Sequence, residues 1–132
     1  MKKVNKKMII AIDFDGTCVT HTYPAIGADI GALPVLKKLI ENEHKLILHT
    51  MRSAVQLDEA VEFLSIAGIE LYGVNANKAQ HHWTSSPKVY AHLYIDDAAL
   101  GVPLIEDKDK SDRPFVDWVT VEEILTQKGI LP

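Results

Sequence analysis

Residues 8–17 read MIIAIDFDGT, five apolar residues that end abruptly at two aspartates, a glycine and a threonine. A short, continuous apolar run of this kind is typical of a strand buried on both faces of a parallel sheet. Asp13 and Asp15 therefore lie where the predicted strand ends. Because ligands of open parallel sheets bind beyond the carboxyl ends of the strands, the same stretch predicts both a strand and a chemical site.

The rest of the chain alternates between strand and helix patterns. Three further apolar runs predict strands, over 46–48, 71–74 and 89–95. Apolar residues at helical spacing predict three helices, which begin near Leu33, Ser53 and Thr120. Strands that alternate with helices predict an α/β fold, a Rossmann-like open parallel sheet with helices on both faces. Residues 17–31, which contain glycine and proline, predict a loop or small hairpin.

Local patterns mark the ends of two of these helices. Ser53 with Gln56, and Thr120 with Glu123, have the spacing of capping boxes, which predicts helix starts. Gly68 stands where the helix that follows Ser53 is expected to end.

Length and composition limit the kind of protein. With 132 residues and 47% apolar residues, the chain predicts one globular domain over 1–132. Its net charge of −4 argues against nucleic acid and membrane surfaces as partners. The single cysteine, Cys18, cannot form an internal disulfide. Residues 1–7 are basic, but the apolar run after them is too short for a signal peptide, so a cytoplasmic location is expected.

Three of the four predicted strands end at polar groups of catalytic type, which are Asp13, Thr50 and the pair Asp96-Asp97. Two carboxylates as close as Asp13 and Asp15 can take different roles, one as an ionised nucleophile and the other in proton transfer. Gly16 permits a tight turn and a close backbone approach to an anion. The alternative is a strand-ending turn with two solvated aspartates.

In four motifs, in the same order, the sequence resembles the haloacid-dehalogenase superfamily of phosphatases. The first is the D-x-D-G-T string, and the second is Thr50 within LHTMR at the end of an apolar strand. The third is Lys88, and the fourth is Asp96-Asp97 after Ile95. The resemblance implies a phosphomonoester hydrolase, with Asp13 as the nucleophile that forms an aspartyl-phosphate and Asp15 as general acid and base.

The resemblance also implies a Mg²⁺ cofactor. Its ligands would be Asp13, the backbone carbonyl of Asp15 and one fourth-motif carboxylate. Asp97 is the preferred ligand and Asp96 its support, because adjacent strand residues point to opposite faces. The phosphoryl group would be bound by four residues, Phe14, Thr50, Met51 and Lys88.

No cap domain of useful size fits between Thr17 and Thr50 or between Thr50 and Lys88, where helices and strands fill the sequence. In the family, members without a cap act on large phosphorylated substrates or form oligomers that cover the site. The substrate is therefore expected to be phosphorylated, as a sugar phosphate, a nucleotide or a macromolecule, and a homo-oligomer is one alternative.

Two other functions fit parts of the pattern. A receiver domain also combines an acceptor aspartate, an acidic pair, a threonine and a lysine, but in that family the acidic pair ends the first strand. A non-catalytic phosphate- or metal-binding domain could retain the same fold, although Asp13 and Asp15 are both present. Arg52 could reach the substrate or pair with a surface acid, and the second interpretation is preferred. The pair His81-His82 is interpreted as surface residues.

Overall fold

The structure, a computed structural model, describes residues 6–132, so most of the basic segment 1–7 lies outside the described residues. The described elements are, in chain order, β1 (Ile9–Ile12), α1 (Ala32–Glu41), β2 (Lys45–Leu48), α2 (Ala54–Ile66), β3 (Gly73–Val74), a 3₁₀ helix (Lys78–His82), β4 (Leu93–Ile95), β5 (Leu104–Ile105), β6 (Phe115–Val116) and α3 (Trp118–Gln127). None of the helices within 6–132 has the length and apolar character needed to cross a membrane.

The predicted first strand lies inside a four-stranded sheet with the order β3-β2-β1-β4. All three strand pairs are parallel, which confirms the α/β fold. Ile12, the last residue of β1, lies opposite Leu48 of β2 and Ile95 of β4. The carboxyl ends of these three strands therefore meet at one edge, and the residues that follow them share that edge.

The three α-helices pack on the same face of the sheet. Their buried side chains belong to one apolar cluster with Ile10, Leu46 and Ile95. Ala11 and Ile47 point to the opposite face and are also buried, outside this cluster. The connection from β3 to β4 has to cross the sheet from one edge to the other, and its helical part is the short 3₁₀ helix. The sequence predicted helices on both faces of the sheet, whereas in residues 6–132 the second face carries no α-helix.

The strands predicted over 71–74 and 89–95 are shorter in the structure. Before β4, the backbone carbonyls are bound by side chains instead of by a neighbouring strand. The Tyr94 hydroxyl donates to the Val89 carbonyl at 2.6 Å, and the Asn77 amide donates to the Tyr90 carbonyl at 3.0 Å. Side-chain hydrogen bonds of this kind compete with a ladder, so the apolar character of the segment does not extend the strand.

Two hairpins flank the carboxyl edge of the sheet. The segment 17–31 forms a small hairpin, with an antiparallel bridge between Val19 and Asp29, as the sequence predicts. β5 and β6 form a second, two-stranded antiparallel hairpin, which the sequence interpretation missed. Its strands have two residues each, too short to give a recognisable alternation of polar and apolar positions.

Neither capping box forms. Ser53 caps α2 without a side-chain hydrogen bond, because the next residue, Ala54, has a φ of 50° instead of a helical value. α3 begins before Thr120, and Asp117 is the cap, whose side chain accepts a hydrogen bond from the Thr120 amide at 3.2 Å. Gly68 follows α2 with a φ of 84°, as predicted for a left-handed helix end.

Candidate active site

The structure brings Asp13, Asp96 and Asp97 together at the carboxyl edge of the sheet. Oxygen atoms of the three carboxylates lie within 4.8 Å of one another. Both members of the acidic pair reach the group, whereas the sequence favoured Asp97 as the ligand with Asp96 as its support. The reason is that β4 ends at Ile95 and the chain then turns, with the Ala99 amide donating to the Asp96 carbonyl at 3.0 Å.

Thr17 connects two of these carboxylates. Its buried hydroxyl donates to Oδ2 of Asp13 at 2.8 Å and accepts the backbone N–H of Asp97 at 2.9 Å. The backbone carbonyl of Thr17 accepts a hydrogen bond from the Trp118 indole, which fixes the loop against α3. The threonine of the D-x-D-G-T string therefore holds the first motif to the fourth.

Gly16 allows the first motif to approach Asp97 closely. Its φ is 80°, in the region that favours glycine, and a Cβ atom there would overlap Oδ2 of Asp97 and lie 2.9 Å from its Cγ. The glycine predicted to permit a close approach to an anion is in fact close to a carboxylate of the protein itself.

Among residues 6–132, no cationic side chain forms an ion pair with any of the three carboxylates. The pKa of Asp13 is raised to about 8, chiefly by burial and further by the negative charges of Asp96 and Asp97, against a hydrogen bond from Thr17 that lowers it. Hard oxygen ligands in an acidic group of this kind suit a divalent cation such as Mg²⁺. The residues present therefore fit the cofactor that the sequence implies.

Asp15 lies apart from this group and is paired with Arg52. Nε and Nη2 of Arg52 donate to the two carboxylate oxygens of Asp15, each at 2.8 Å. The Arg52 guanidinium also donates to the carbonyls of Pro24, Ala25 and Gln56. Arg52 is only 3% exposed, and its hydrogen bond with Asp15 raises its pKa. Arg52 does pair with an acid, as the sequence interpretation preferred, but that acid is Asp15 of the first motif and the pair is largely buried instead of lying on the surface.

Thr50 and Met51 are at the edge of the same site. The Thr50 hydroxyl accepts the backbone N–H of Arg52 at 3.1 Å and keeps its own hydrogen free to donate. The Thr50 backbone N–H donates to the Asn75 side chain at 2.8 Å, a support that sequence reasoning missed. The Met51 side chain is 96% exposed, and among the described hydrogen bonds none has the Met51 amide as donor.

Phe14 contributes its backbone to the site and its side chain to the core. Its ring is fully buried and packs edge-on against Phe63. Its carbonyl accepts the amides of Thr17 and Cys18, whereas its own amide is not a donor among the described hydrogen bonds. Burial raises the pKa of the Cys18 thiol, which donates to the Asp13 carbonyl at 3.3 Å, so Cys18 is a packed thiol and not a nucleophile.

Lys88 is the predicted site residue that the structure does not bring to the others. Its ammonium lies 5.7 Å from the centre of the Tyr94 ring, beside a separate cavity that Trp83 and Tyr90 also line. Neighbouring residues Pro87 and Val89 do line a cavity with Asp13, but Lys88 does not line it. The order of the motifs correctly predicted that the segment around Lys88 lies near the site. It could not predict where the Lys88 side chain lies.

The acidic group lines one cavity of about 480 Å³. Asp15, Thr50, Met51 and Arg52 are in its wall, and so is Tyr23, which the sequence suggested for the entrance. His21 and Arg113 also line the cavity, and the sequence did not assign them to the site. His21 and Tyr23 come from the hairpin after the first motif, and Arg113 comes from the loop between β5 and β6. His81 and His82 are exposed and stack on each other, outside this cavity, as expected for surface residues.

The fold and site define an α/β protein with an acidic site at the carboxyl edge of a parallel sheet. No protein-family model and no curated protein matches the sequence. A solved structure, that of a conserved protein from Bacteroides thetaiotaomicron, is 38% identical, with 93% of each chain covered and a TM-score of 0.76. The chain belongs to the same family as that conserved protein. The match shows the family and the fold of this chain, and the function has to be inferred from the site.

Proposed function

We propose that this protein is a Mg²⁺-dependent phosphohydrolase of the haloacid-dehalogenase type, in which Asp13 forms a covalent aspartyl-phosphate. The observation that carries the proposal is the convergence of Asp13, Asp96 and Asp97 at the end of β1, where the D-x-D-G-T string begins. In this proposal the domain is a Rossmann-like core without a sizeable cap. The hairpin over 17–31 and the β5–β6 hairpin flank its site.

Asp13 acts first in the proposed reaction. One of its carboxylate oxygens attacks phosphorus, and the bond from phosphorus to the leaving oxygen breaks as that oxygen takes up a proton. Water then attacks phosphorus and loses a proton, and the bond from phosphorus to Asp13 breaks to release inorganic phosphate. Oδ2 of Asp13 accepts the Thr17 hydroxyl, so Thr17 orients the nucleophile.

A bound Mg²⁺, held by Asp13, Asp96 and Asp97, would supply the positive charge that lets a carboxylate meet a phosphate dianion. The free hydroxyl hydrogen of Thr50 and the unused amides of Phe14 and Met51 are available to phosphoryl oxygens. Lys88 has no part in this arrangement because its ammonium lies beside Tyr94.

Asp15 is the proposed general acid and base, and Arg52 limits how it can act. Each carboxylate oxygen has two lone pairs, so Asp15 can still accept a proton from water while both oxygens are bound by Arg52. Arg52 therefore restricts the transferred proton to the lone pairs that its N–H groups leave free, and from these Asp15 would also donate to the leaving group.

The second candidate is a non-catalytic domain that binds phosphate or a metal ion. Two observations favour it, the engagement of both Asp15 oxygens by Arg52 and the direction of Lys88. In a phosphatase of this type, Asp15 is expected to transfer protons and Lys88 to bind the phosphoryl group. The intact acidic group around Asp13 makes the hydrolase the better-supported proposal.

The test is hydrolysis of an aryl phosphate by purified protein, with Mg²⁺ and with EDTA. Asp13→Asn removes the nucleophile with almost no change in shape, and Asp58→Asn, on the exposed face of α2, is the matched control. Turnover that needs Mg²⁺, persists in Asp58→Asn and is lost in Asp13→Asn is the expected result. Mg²⁺ binding without turnover in any protein would favour the non-catalytic domain.

A further inference from the structure

Arg113 and His21 form a pair in the wall of the cavity that contains Asp13. They come from two different hairpins, His21 from the segment 17–31 and Arg113 from the loop between β5 and β6. Nη1 of Arg113 lies 3.0 Å from Nε2 of His21. Because a guanidinium has only donors, His21 accepts at Nε2 and carries its ring proton on Nδ1. The contact holds the guanidinium at the cavity while using one of its five N–H groups.

Arg113 is exposed to solvent, and its charge is not paired with any of the acidic groups of the cavity. Within residues 6–132, no carboxylate lies within 4.0 Å of the Arg113 guanidinium, although four aspartates line the same cavity. Asp15 is already paired with Arg52, and the other three carboxylates form the proposed Mg²⁺ site. Arg113 is therefore the cation of the cavity wall whose charge no described side chain balances.

The dimensions of the cavity indicate a small ligand. At about 480 Å³ it is within the range of sites for small molecules, roughly 300–1,000 Å³. A phosphoryl group bound beside Asp13 and a second group bound by Arg113 would both be inside it. A guanidinium presents parallel N–H donors that match the two oxygens of a carboxylate or phosphate.

We propose that Arg113, positioned by His21, binds a second anionic group of a small phosphorylated substrate. This proposal rests on the proposed function and narrows its substrate class to small, doubly anionic phosphate esters, with a carboxylate or a second phosphate. A neutral substrate of the same size would leave the Arg113 charge without a partner in the cavity.

Binding is tested separately from turnover, in the Asp13→Asn background, which cannot consume the ligand. Titration calorimetry compares 3-phosphoglycerate with glycerol 3-phosphate, which differ in one carboxylate, and fructose 1,6-bisphosphate with fructose 6-phosphate, which differ in one phosphate. The expected preference for at least one doubly anionic ester is about tenfold or more, as for a charge-assisted two-point contact. The pair that shows it distinguishes a carboxylate from a phosphate as the second group.

The preference should disappear when Arg113→Gln is added and remain when Lys110→Gln is added. Lys110→Gln removes one positive charge from the same loop, but Lys110 does not line the cavity. Equal affinities within both ester pairs, or a preference that survives Arg113→Gln, would overturn the proposal. Aryl phosphate hydrolysis by the wild type is scored separately. Turnover without a preference refutes the anion site alone. A preference without turnover, by the wild type with Mg²⁺, of either the aryl phosphate or the preferred ester refutes the hydrolase alone.

Discussion

Arg52 and Asp15 form a two-point ion pair in the wall of the candidate site, with both hydrogen bonds at 2.8 Å and both side chains largely withdrawn from solvent. The same guanidinium binds carbonyls of the hairpin after the first motif and of α2. Arg52 therefore fixes the position of Asp15 and attaches two neighbouring segments to it. Loss of Arg52 would leave a carboxylate and three carbonyls without their donor.

Arg52→Ala is expected to lower the free energy of unfolding by about 3–5 kcal/mol, the usual cost of removing one partner of a buried ion pair. Arg52→Lys keeps the charge but loses the fork geometry, so it should recover only part of that loss. Urea unfolding measures both. The control is Lys38→Ala, whose exposed pair with Glu122 should contribute about 0–1 kcal/mol. Equal effects of Arg52→Ala and Lys38→Ala would contradict the structural role of Arg52.

Asp13 should make the stability of the metal-free protein depend on pH. Its pKa is raised from 3.8 to about 8, so the folded state binds this proton more tightly than the unfolded state. The resulting stabilisation is complete below pH 3.8 and is lost as pH rises toward 8, at up to about 1.4 kcal/mol per pH unit. Mg²⁺ should remove the loss by balancing the ionised carboxylate.

The measurement is urea unfolding in EDTA of the wild type and Asp13→Asn, at pH values from about 5 to about 8. Because Asn cannot ionise, the stability advantage of Asp13→Asn should grow with pH, and other titrating groups cancel in the difference. A difference that stays constant over this window would show that Asp13 has no raised pKa.

Much of the fold and part of the site could be predicted from the sequence. Continuous apolar runs that end at Asp13, Thr50 and Asp96 located three parallel strands and the edge where they meet. The direction of a side chain beyond a strand end depends on the turn that follows, and strand alternation no longer applies there. Both fourth-motif aspartates therefore reach Asp13, and Lys88 does not.

Arg52 and Arg113 were beyond prediction for a different reason. An isolated arginine in a sequence has the same appearance whether it is solvated, buried against an acid or held at a cavity. Its role depends on partners that are distant along the chain, Asp15 for Arg52 and His21 for Arg113. Only the folded structure brings these partners together.

Asp15→Asn should separate the two chemical steps of the proposed reaction. An aryl phosphate has a good leaving group, so formation of the aspartyl-phosphate on Asp13 needs little help from an acid, whereas its hydrolysis needs Asp15 as base. Rapid mixing should then show a burst of about one aryl alcohol per active site, followed by slow turnover. An unchanged steady-state rate without a burst would exclude Asp15 from the hydrolysis step.

Gly16→Ala tests whether the close approach of the first motif to Asp97 is needed for metal binding. The added Cβ would lie 2.9 Å from Cγ of Asp97, so the Asp97 carboxylate would have to move. The φ of 80° adds a backbone cost of about 1–2 kcal/mol for any residue other than glycine. Both effects should lower stability, but only displacement of Asp97 should weaken Mg²⁺ binding.

Gly101→Ala separates these two effects. Gly101 has a similar φ of 89°, and a Cβ there would meet no atom within 4 Å. Both alanine variants should therefore lose comparable stability from backbone strain, as measured by urea unfolding in EDTA. Calorimetric titration with Mg²⁺ should show wild-type affinity in Gly101→Ala and an affinity lower by about tenfold or more in Gly16→Ala. If Gly16→Ala bound Mg²⁺ as tightly as Gly101→Ala, Asp97 would not be a ligand. The carboxylate ligands of the metal would then be Asp13 and Asp96.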